Sequence, residues 1–265
     1  MDKINRLIHL VGAGNMGRAL LRGLLAHKLV PPQKIFVEEI DPAKLRDCLR
    51  AHGVRPAGKI PPGQPRLLLL CLKPQQFPAW AGRAPALDRR TLVVSIMAGV
   101  TRRRLQAAWP APGGLVRAMP NLPGLVGAGF TALCGPAGRV KEAQPVFSTL
   151  GETIVVREAQ MDAVTALSGS GPAYVFYLGE ALAAAARRYG FSREASERLA
   201  RQTVFGAARL WRESGRSAAE LRQQVTSPGG TTEAACRLLS QKAWADILGE
   251  AIAAARQRAR ELSPK

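Results

Sequence analysis

Leu7-Ile8-His9-Leu10-Val11-Gly12-Ala13-Gly14-Asn15-Met16-Gly17 decides how the rest of the chain is read. The first five residues form a compact apolar run of strand character. Glycines break the run, and Met16–Ala26 follows with apolar residues at helical spacing. Each glycine has a mechanical reason. Gly12 permits the tight turn, Gly14 lets a pyrophosphate approach the backbone, and Gly17 lets helix and strand pack closely. The free N–H groups and the dipole at the helix start then favour phosphate charge. A glycine-rich turn with a purely structural role is the competing reading. The strand before the motif and the helix after it weigh against that reading.

Outward from this motif, short apolar runs alternate with helical stretches. Ile35–Val37 reads as a second strand, and Pro42–Ala51 as a second helix with Asp41 as its N-cap. Leu67–Leu72 and Leu92–Met97 are continuous apolar runs of the kind buried parallel strands show. The turn AGVT and a short helix follow the latter. Leu115–Ala118 and Phe130–Leu133 add further strands, and Lys59–Arg66 is a turn-rich connection. Such alternation predicts a parallel sheet covered by helices on both faces. After Val155 the strand signal ends. Met161–Leu167 is helical, SGSGP interrupts it, and Pro172–Tyr189 is a long helix apolar on nearly every side. A helix of that kind is buried in a large core or at an interface between subunits. Three more helical stretches follow, Arg193–Ser214, Glu233–Ser240 and Ala243–Glu261. The expected organisation is an α/β Rossmann-type dinucleotide-binding domain over residues 1–156, then an all-α domain over 157–265 for dimerisation and substrate binding.

The second strand ends Val37-Glu38-Glu39-Ile40-Asp41. A carboxylate there can accept from both hydroxyls of an adenosine ribose, and it repels a 2′-phosphate. Lys44 and Arg46 are near, but they are expected to point along the following helix. Acids that merely face water are the competing reading.

Composition narrows the classes. The chain has 265 residues, 47% of them apolar, enough for a substantial core. Its 38 Lys and Arg against 19 Asp and Glu give a net charge of +19. That excess raises the question of a nucleic-acid partner. Most of it is arginine scattered along helices, as at Arg187, Arg188, Arg198, Arg201 and Arg209. The densest cluster is only Arg102-Arg103-Arg104. No aromatic residues interleave as a base-stacking platform requires, so neither nucleic acid nor membrane is an expected partner. Cys48, Cys71, Cys134 and Cys236 lack paired spacing and suggest neither zinc nor disulfides, hence reduced cytoplasmic thiols and no metal. Cys71 reads as a small buried hydrophobe. The charged start shows no signal-peptide pattern, and no apolar stretch reaches the ~18 residues that span a bilayer. His9, His27 and His52 are isolated, and structural roles are expected for all three.

The unusual segment is Val225-Thr226-Ser227-Pro228-Gly229-Gly230-Thr231-Thr232-Glu233-Ala234. Two glycines lead into a helix start, which leaves several N–H groups for an anion the size of a carboxylate. An ordinary N-cap with glycines in a turn explains the same letters equally well.

At these residues the chain resembles the pyrroline-5-carboxylate reductases. Val225–Ala234 is similar to that family's C-terminal signature, and GAGNMG to its nucleotide loop. Leu72-Lys73-Pro74 resembles its "VKP" turn, and Val94–Thr101 its "VSxxAGVT". Arg117-Ala118-Met119-Pro120-Asn121 resembles "RxMPN", and Asp162–Tyr174 resembles "DAVTALSGSGPAY". The likeness covers essentially the whole chain. Departures are Leu122 after the asparagine, Met97, and the Glu38-Glu39 pair where NADP-preferring relatives have small polar residues.

The resemblance implies reduction of 1-pyrroline-5-carboxylate to proline with NADH or NADPH, NADH being favoured by the two acids. It implies a helical domain that forms intertwined dimers, which assemble in turn into decamers. It implies substrate binding by Ser227, Gly229, Gly230, Thr231 and Thr232, with Thr232 as the catalytic hydroxyl beside the imine nitrogen. The cofactor would contact Gly12, Gly14, Asn15, Met16, Gly17, Glu38, Glu39, Lys73, Pro74, Ala98 and Asn121. Two other readings keep the nucleotide loop. One is a related imine or β-hydroxyacid reductase on the same fold. The other is a non-catalytic dinucleotide- or nucleic-acid-binding protein.

Overall fold

A computed structural model describes residues 3–84, 87, 89–109 and 112–261; the end of the expected second domain, 262–265, lies outside the described residues. Two compact units are present, one of residues 1–170 with 255–265, the other of residues 171–254. The division falls later than the expected boundary at 156/157. Residues 158–170 pack with the strands: Met161 is buried in one cluster with Ala132 and Cys134.

The first unit is built on an eight-stranded sheet. In chain order its strands are β1 (Leu7–Val11), β2 (Ile35–Glu38), β3 (Arg55–Pro56), β4 (Arg66–Leu70), β5 (Leu92–Ser95), β6 (Gly114–Met119), β7 (Gly129–Cys134) and β8 (Gly151–Val155). Their spatial order is β3-β2-β1-β4-β5-β6-β7-β8. All neighbours are parallel except β6 and β7. The reversal at β7 departs from the expected all-parallel sheet. A 3₁₀ turn over Leu122–Val126, closed by Gly127 at φ 74°, lets the chain double back directly. That connection is too short for the crossover a parallel neighbour needs.

Helices α1 (Asn15–Ala26), α2 (Pro42–His52), α3 (Phe77–Ala81), α4 (Arg102–Ala108) and α5 (Ala137–Ser148) connect the strands. Alternation along the strands divides the core. Leu67 and Leu69 of β4 pack with Leu20, Leu24 and Phe147 on one face, while Leu68 and Leu70 pack with Phe77, Trp80 and Trp109 on the other. Full burial of both faces explains the continuous apolar runs. Asp41 caps α2 as expected, accepting from the Ala43 and Lys44 amides. His27 and His52 stand at helix ends.

After β8 comes α6 (Met161–Val164), then a π-helical turn over Thr165–Gly169 and α7 (Gly171–Arg188). The SGSG segment therefore widens the helix where an interruption was expected. The Ser170 amide reaches back to the Thr165 carbonyl at 2.8 Å, the i→i+5 bond of a π-turn. The second unit continues with α8 (Arg193–Ser214), α9 (Ala218–Gln224), α10 (Thr231–Gln241) and α11 (Trp244–Glu261), whose last turns belong to the first unit. Among the described residues no helix is long and apolar enough to cross a membrane.

Candidate active site

The C-terminal ends of β1, β2 and β4 adjoin a cleft of ≈ 550 Å³. The strand order places it where chain connections diverge to either side of β1, the position at which open α/β sheets bind ligands. Gly12, Gly14, Glu38, Glu39 and Lys73 all line it. Ala98 follows β5 and Asn121 follows β6, so both stand at strand ends further along the same sheet edge without lining this cleft.

The glycine loop is pinned from both sides. Gly12 donates its N–H to the Glu38 carbonyl at 2.8 Å, and Cys71 donates to the Val11 carbonyl at 2.8 Å. Gly12 sits at φ 96°, and a Cβ there would come within 2.6 Å of the Cys71 carbonyl oxygen. A Cβ on Gly17 would overlap the Gly12 carbonyl oxygen. At Gly14, by contrast, an added Cβ would meet nothing within 4 Å. Gly14 is the N-cap of α1. No side chain caps that helix and no acid stands in its first turn. The first-turn N–H groups, those of Asn15 and Met16 among them, are thus left for an anionic ligand. Gly14 and Asn15 are exposed, Met16 half-buried and Gly17 buried. The donor set and the open approach over Gly14 fit a dinucleotide pyrophosphate.

The two glutamates have different partners. Glu39 accepts from the Ala13 amide at 2.7 Å and from the Asp41 amide at 3.1 Å. Glu38 accepts from the Trp80 indole at 2.7 Å and lies 3.5 Å from the Arg83 guanidinium. Its second oxygen is 3.3 Å from His9 Nε2. The contact with His9 holds the Glu38 carboxyl below its ordinary range, against the opposing pull of half-burial and with help from Trp80 and Arg83.

Trp80 and Arg83 were not singled out in the sequence, yet both line the cleft, as do Gln75, Gln76 and Ala79. The available signal was a tryptophan in a short apolar helix, whose indole N–H needs a partner when buried. Lys44 also lines the cleft, its ammonium 3.5 Å from Asp41, and so does not point away along α2 as expected. Cys71 lines the same cleft, and burial pushes its thiol up to about 12. Lys73 and Pro74 enter a 3₁₀ turn in which the Lys73 amide donates to Gln76 Oε1 at 3.0 Å.

Asn121 carries a structural load. Its Oδ1 accepts from the Phe130 amide at 2.8 Å, and its Nδ2 donates to Ser168 Oγ at 3.1 Å. It thereby ties the β6–β7 turn to the π-turn.

In the second unit, Gly229 adopts φ 69° and Gly230 is the N-cap of α10, which no side chain caps. Fewer amides are free than the sequence suggested. Gly229 donates to Glu233 Oε2 at 2.7 Å, and Gly230 donates to the Ser227 carbonyl at 3.0 Å. The first-turn amides of α10 remain. Ser227, Gly229 and Thr231 are exposed, while Gly230 and Thr232 are half-buried. In the same unit a groove of ≈ 1030 Å³ runs between α7 and α8, lined in part by Val175, Phe176, Ala184, Val204 and Phe205. Among the described residues no group of three His, Cys, Asp or Glu could hold a metal ion.

Comparison with known proteins agrees with this geometry. Residues 158–262 match the family described as pyrroline-5-carboxylate reductase dimerisation. Residues 7–99 match the one described as NADP oxidoreductase, coenzyme F420-dependent. A pyrroline-5-carboxylate reductase from Synechocystis sp. is 37% identical over 97% of this chain and 98% of its own. One from Pseudomonas aeruginosa is 38% identical over 97% and 96%. The solved structure of a pyrroline-5-carboxylate reductase from Coxiella burnetii superposes with a TM-score of 0.86, at 35% identity over 98% of this chain and 99% of that one.

Proposed function

The chain belongs to the pyrroline-5-carboxylate reductase family, and from that premise we propose that it reduces 1-pyrroline-5-carboxylate to L-proline, using NADH in preference to NADPH. The observation that carries the cofactor half is the uncapped start of α1 over Gly14, beside a cleft rimmed by Glu38 and Glu39. Gly12, Gly14, Asn15, Met16 and Gly17 form the pyrophosphate seat. Lys73, Pro74, Ala98 and Asn121 belong to the same strand-end row and serve the nicotinamide side. A carboxylate on the ribose side favours the diol of NADH and opposes a 2′-phosphate, a like-charge contact costing on the order of a few kcal/mol when partly desolvated. When bound, the dinucleotide supplies the hydride.

The chain's own residues bind and orient. The α10 start, with Ser227, Gly229, Gly230, Thr231 and Thr232, holds the substrate carboxylate. The Thr232 hydroxyl holds a proton at the imine nitrogen, which keeps the neighbouring carbon electrophilic. Orientation is the main rate contribution, so no catalytic histidine or carboxylate is required. Residues 157–265 act as the dimerisation and substrate domain. Exposed Phe176 and Phe205 in the α7–α8 groove support a homodimer, or a ring of dimers up to a decamer. The four free cysteines suit a cytoplasmic enzyme.

Purified protein is expected to oxidise NADH when pyrroline-5-carboxylate is added, to accumulate proline, and to scatter light as a dimer or larger. Cofactor turnover without proline, or an active monomer, contradicts the corresponding part. Thr232→Val is expected to lower kcat roughly 10- to 100-fold, the loss of one hydrogen bond of about 1–3 kcal/mol, with NADH affinity nearly unchanged. An unaltered kcat would make Thr232 a helix-start residue only.

A further inference from the structure

We infer that the two adjacent glutamates divide the work at the cofactor cleft: Glu39 is the specificity-determining carboxylate that accepts the adenosine ribose diol, and Glu38 is a positioning residue that holds the α3 wall of the cleft in place. The inference rests on the proposed binding of a dinucleotide at the glycine loop.

The first argument is proximity. A ribose joins the pyrophosphate directly, so its acceptor must adjoin the loop that seats the phosphates. Glu39 touches that loop, since its Oε2 accepts from the Ala13 amide at 2.7 Å. Glu38 meets the loop only through its backbone carbonyl, and its carboxylate turns toward Trp80, Arg83 and His9.

The second argument is acceptor capacity. An ionised carboxylate has about two acceptor positions on each oxygen. Glu39 uses one on Oε2 for Ala13 and one on Oε1 for Asp41. One position is left on each oxygen, the number that two vicinal hydroxyls require. Both backbone amides also fix the carboxylate before any ligand arrives, so little ordering remains at binding. On Glu38, Oε1 already takes the Trp80 indole and faces Arg83, while Oε2 faces His9.

The third argument is charge. The Arg83 guanidinium offsets much of the Glu38 charge, so Glu38 discriminates weakly against an extra phosphate. Glu39 has the Ala13 and Asp41 amides as its partners, and among the described residues no cation is paired with it.

Glu38 still matters. Trp80 and Arg83 line the cleft, and both are tied to the last residue of β2 through this carboxylate. Loss of the tie loosens a wall that contacts either cofactor equally.

The test is calorimetric titration of NADH and NADPH, without substrate, into wild type, Glu39→Gln, Glu38→Gln and Trp80→Phe. Glutamine at 39 keeps an acceptor for the Ala13 amide. Glu39→Gln is expected to lower the ratio of NADH to NADPH affinity by about tenfold or more. Glu38→Gln and Trp80→Phe are expected to weaken both cofactors alike, severalfold, with the ratio unmoved. A ratio that shifts in Glu38→Gln, or fails to shift in Glu39→Gln, overturns the assignment. Should Glu39→Gln not fold, Glu39→Asp, which keeps the charge but shortens the reach to the ribose, is titrated in its place, and an unmoved ratio there overturns the assignment as well. Wild type that binds neither dinucleotide sinks the cofactor reading beneath the inference. Wild type that prefers NADPH sinks only the proposed preference, and the ratio shifts still judge the division of roles.

Discussion

Alanine at Gly17 is expected to destabilise the protein by about 3 kcal/mol or more, whereas alanine at Gly14 leaves the fold in place and removes the cofactor. The two positions lie in one loop, but their surroundings are opposite. A methyl group on Gly17 overlaps the carbonyl oxygen of Gly12. That atom belongs to a backbone held by the Gly12–Glu38 bond at 2.8 Å, so it cannot swing aside as a side-chain tip would. Relief requires α1 to lift off β1, and Leu20, Leu21 and Leu24 of α1 are fully buried. Overpacking of a close-packed core costs typically about 1–3 kcal/mol, and a rigid backbone obstacle belongs at or above the top of that range. Gly14 has open space where its Cβ would stand, and its φ of −70° suits any residue. Alanine is a poorer N-cap than glycine, a loss of about 1 kcal/mol or less. At the proposed pyrophosphate seat, the methyl group instead stands in the way of the phosphates. Thermal unfolding and dinucleotide titration of both variants separate the effects. Equal melting behaviour for Gly17→Ala and wild type would show that the helix–strand contact is slack.

Glu158→Leu is expected to cost about 3 kcal/mol, and the double variant Arg117→Met/Glu158→Leu to recover most of it. Arg117 lies in the middle of β6 with only 4% of its side chain exposed, and its guanidinium meets Glu158 at 2.7 Å. Removing the carboxylate strands a buried cation, a loss of about 3–5 kcal/mol for a buried pair. Glu158 is 37% exposed, so water can reach the vacated space and the lower figure applies. The apolar double variant removes both desolvation penalties, and such replacements are often neutral. The pH dependence follows from Glu158 itself. Half-burial pushes its carboxyl up, but Arg117, the Arg102 amide and the Cys134 thiol together carry it below 4.5. A depressed folded value means that the contribution is complete above the unfolded carboxylate range and is lost as pH falls through the folded one. The gap between wild type and Glu158→Leu should therefore narrow below about pH 4.5. Denaturant melts at pH 7 and pH 3.5 check this. A constant gap would exclude the ion pair as its source.

The sequence made most of the sheet legible, because fully buried parallel strands leave uninterrupted runs such as Leu67–Leu70. β1 and α8 fall at the expected residues, and the α1 and α2 bounds differ by a residue at one end. Short or marginal elements escaped. β3 has two residues and α3 five, too few for a period to show. β8 is half exposed, with Val155 turned outward, so it lacks the apolar run of its neighbours. At the site, the glycine loop was readable because its glycines answer to local geometry. The partition between Glu38 and Glu39 was not. It depends on Trp80 and Arg83, some forty residues away in the chain, and no spacing rule connects an indole to the end of a strand.

The second unit has almost nothing inside it. Among its described residues only Ser196 and Ala200 are buried, while Phe176, Tyr177, Phe205 and Trp211 each leave more than half of their surface exposed. Two small side chains cannot offset the conformational entropy of α7 to α10 and most of α11. In the proposed homodimer, which the match of residues 158–262 to a dimerisation family supports, the missing apolar burial comes from a second chain, and folding of this unit and association become a single event. Stability then obeys mass action. Each tenfold dilution removes about 1.4 kcal/mol from the assembled state, so that plain buffer, added in sufficient volume, acts on these helices as a denaturant would.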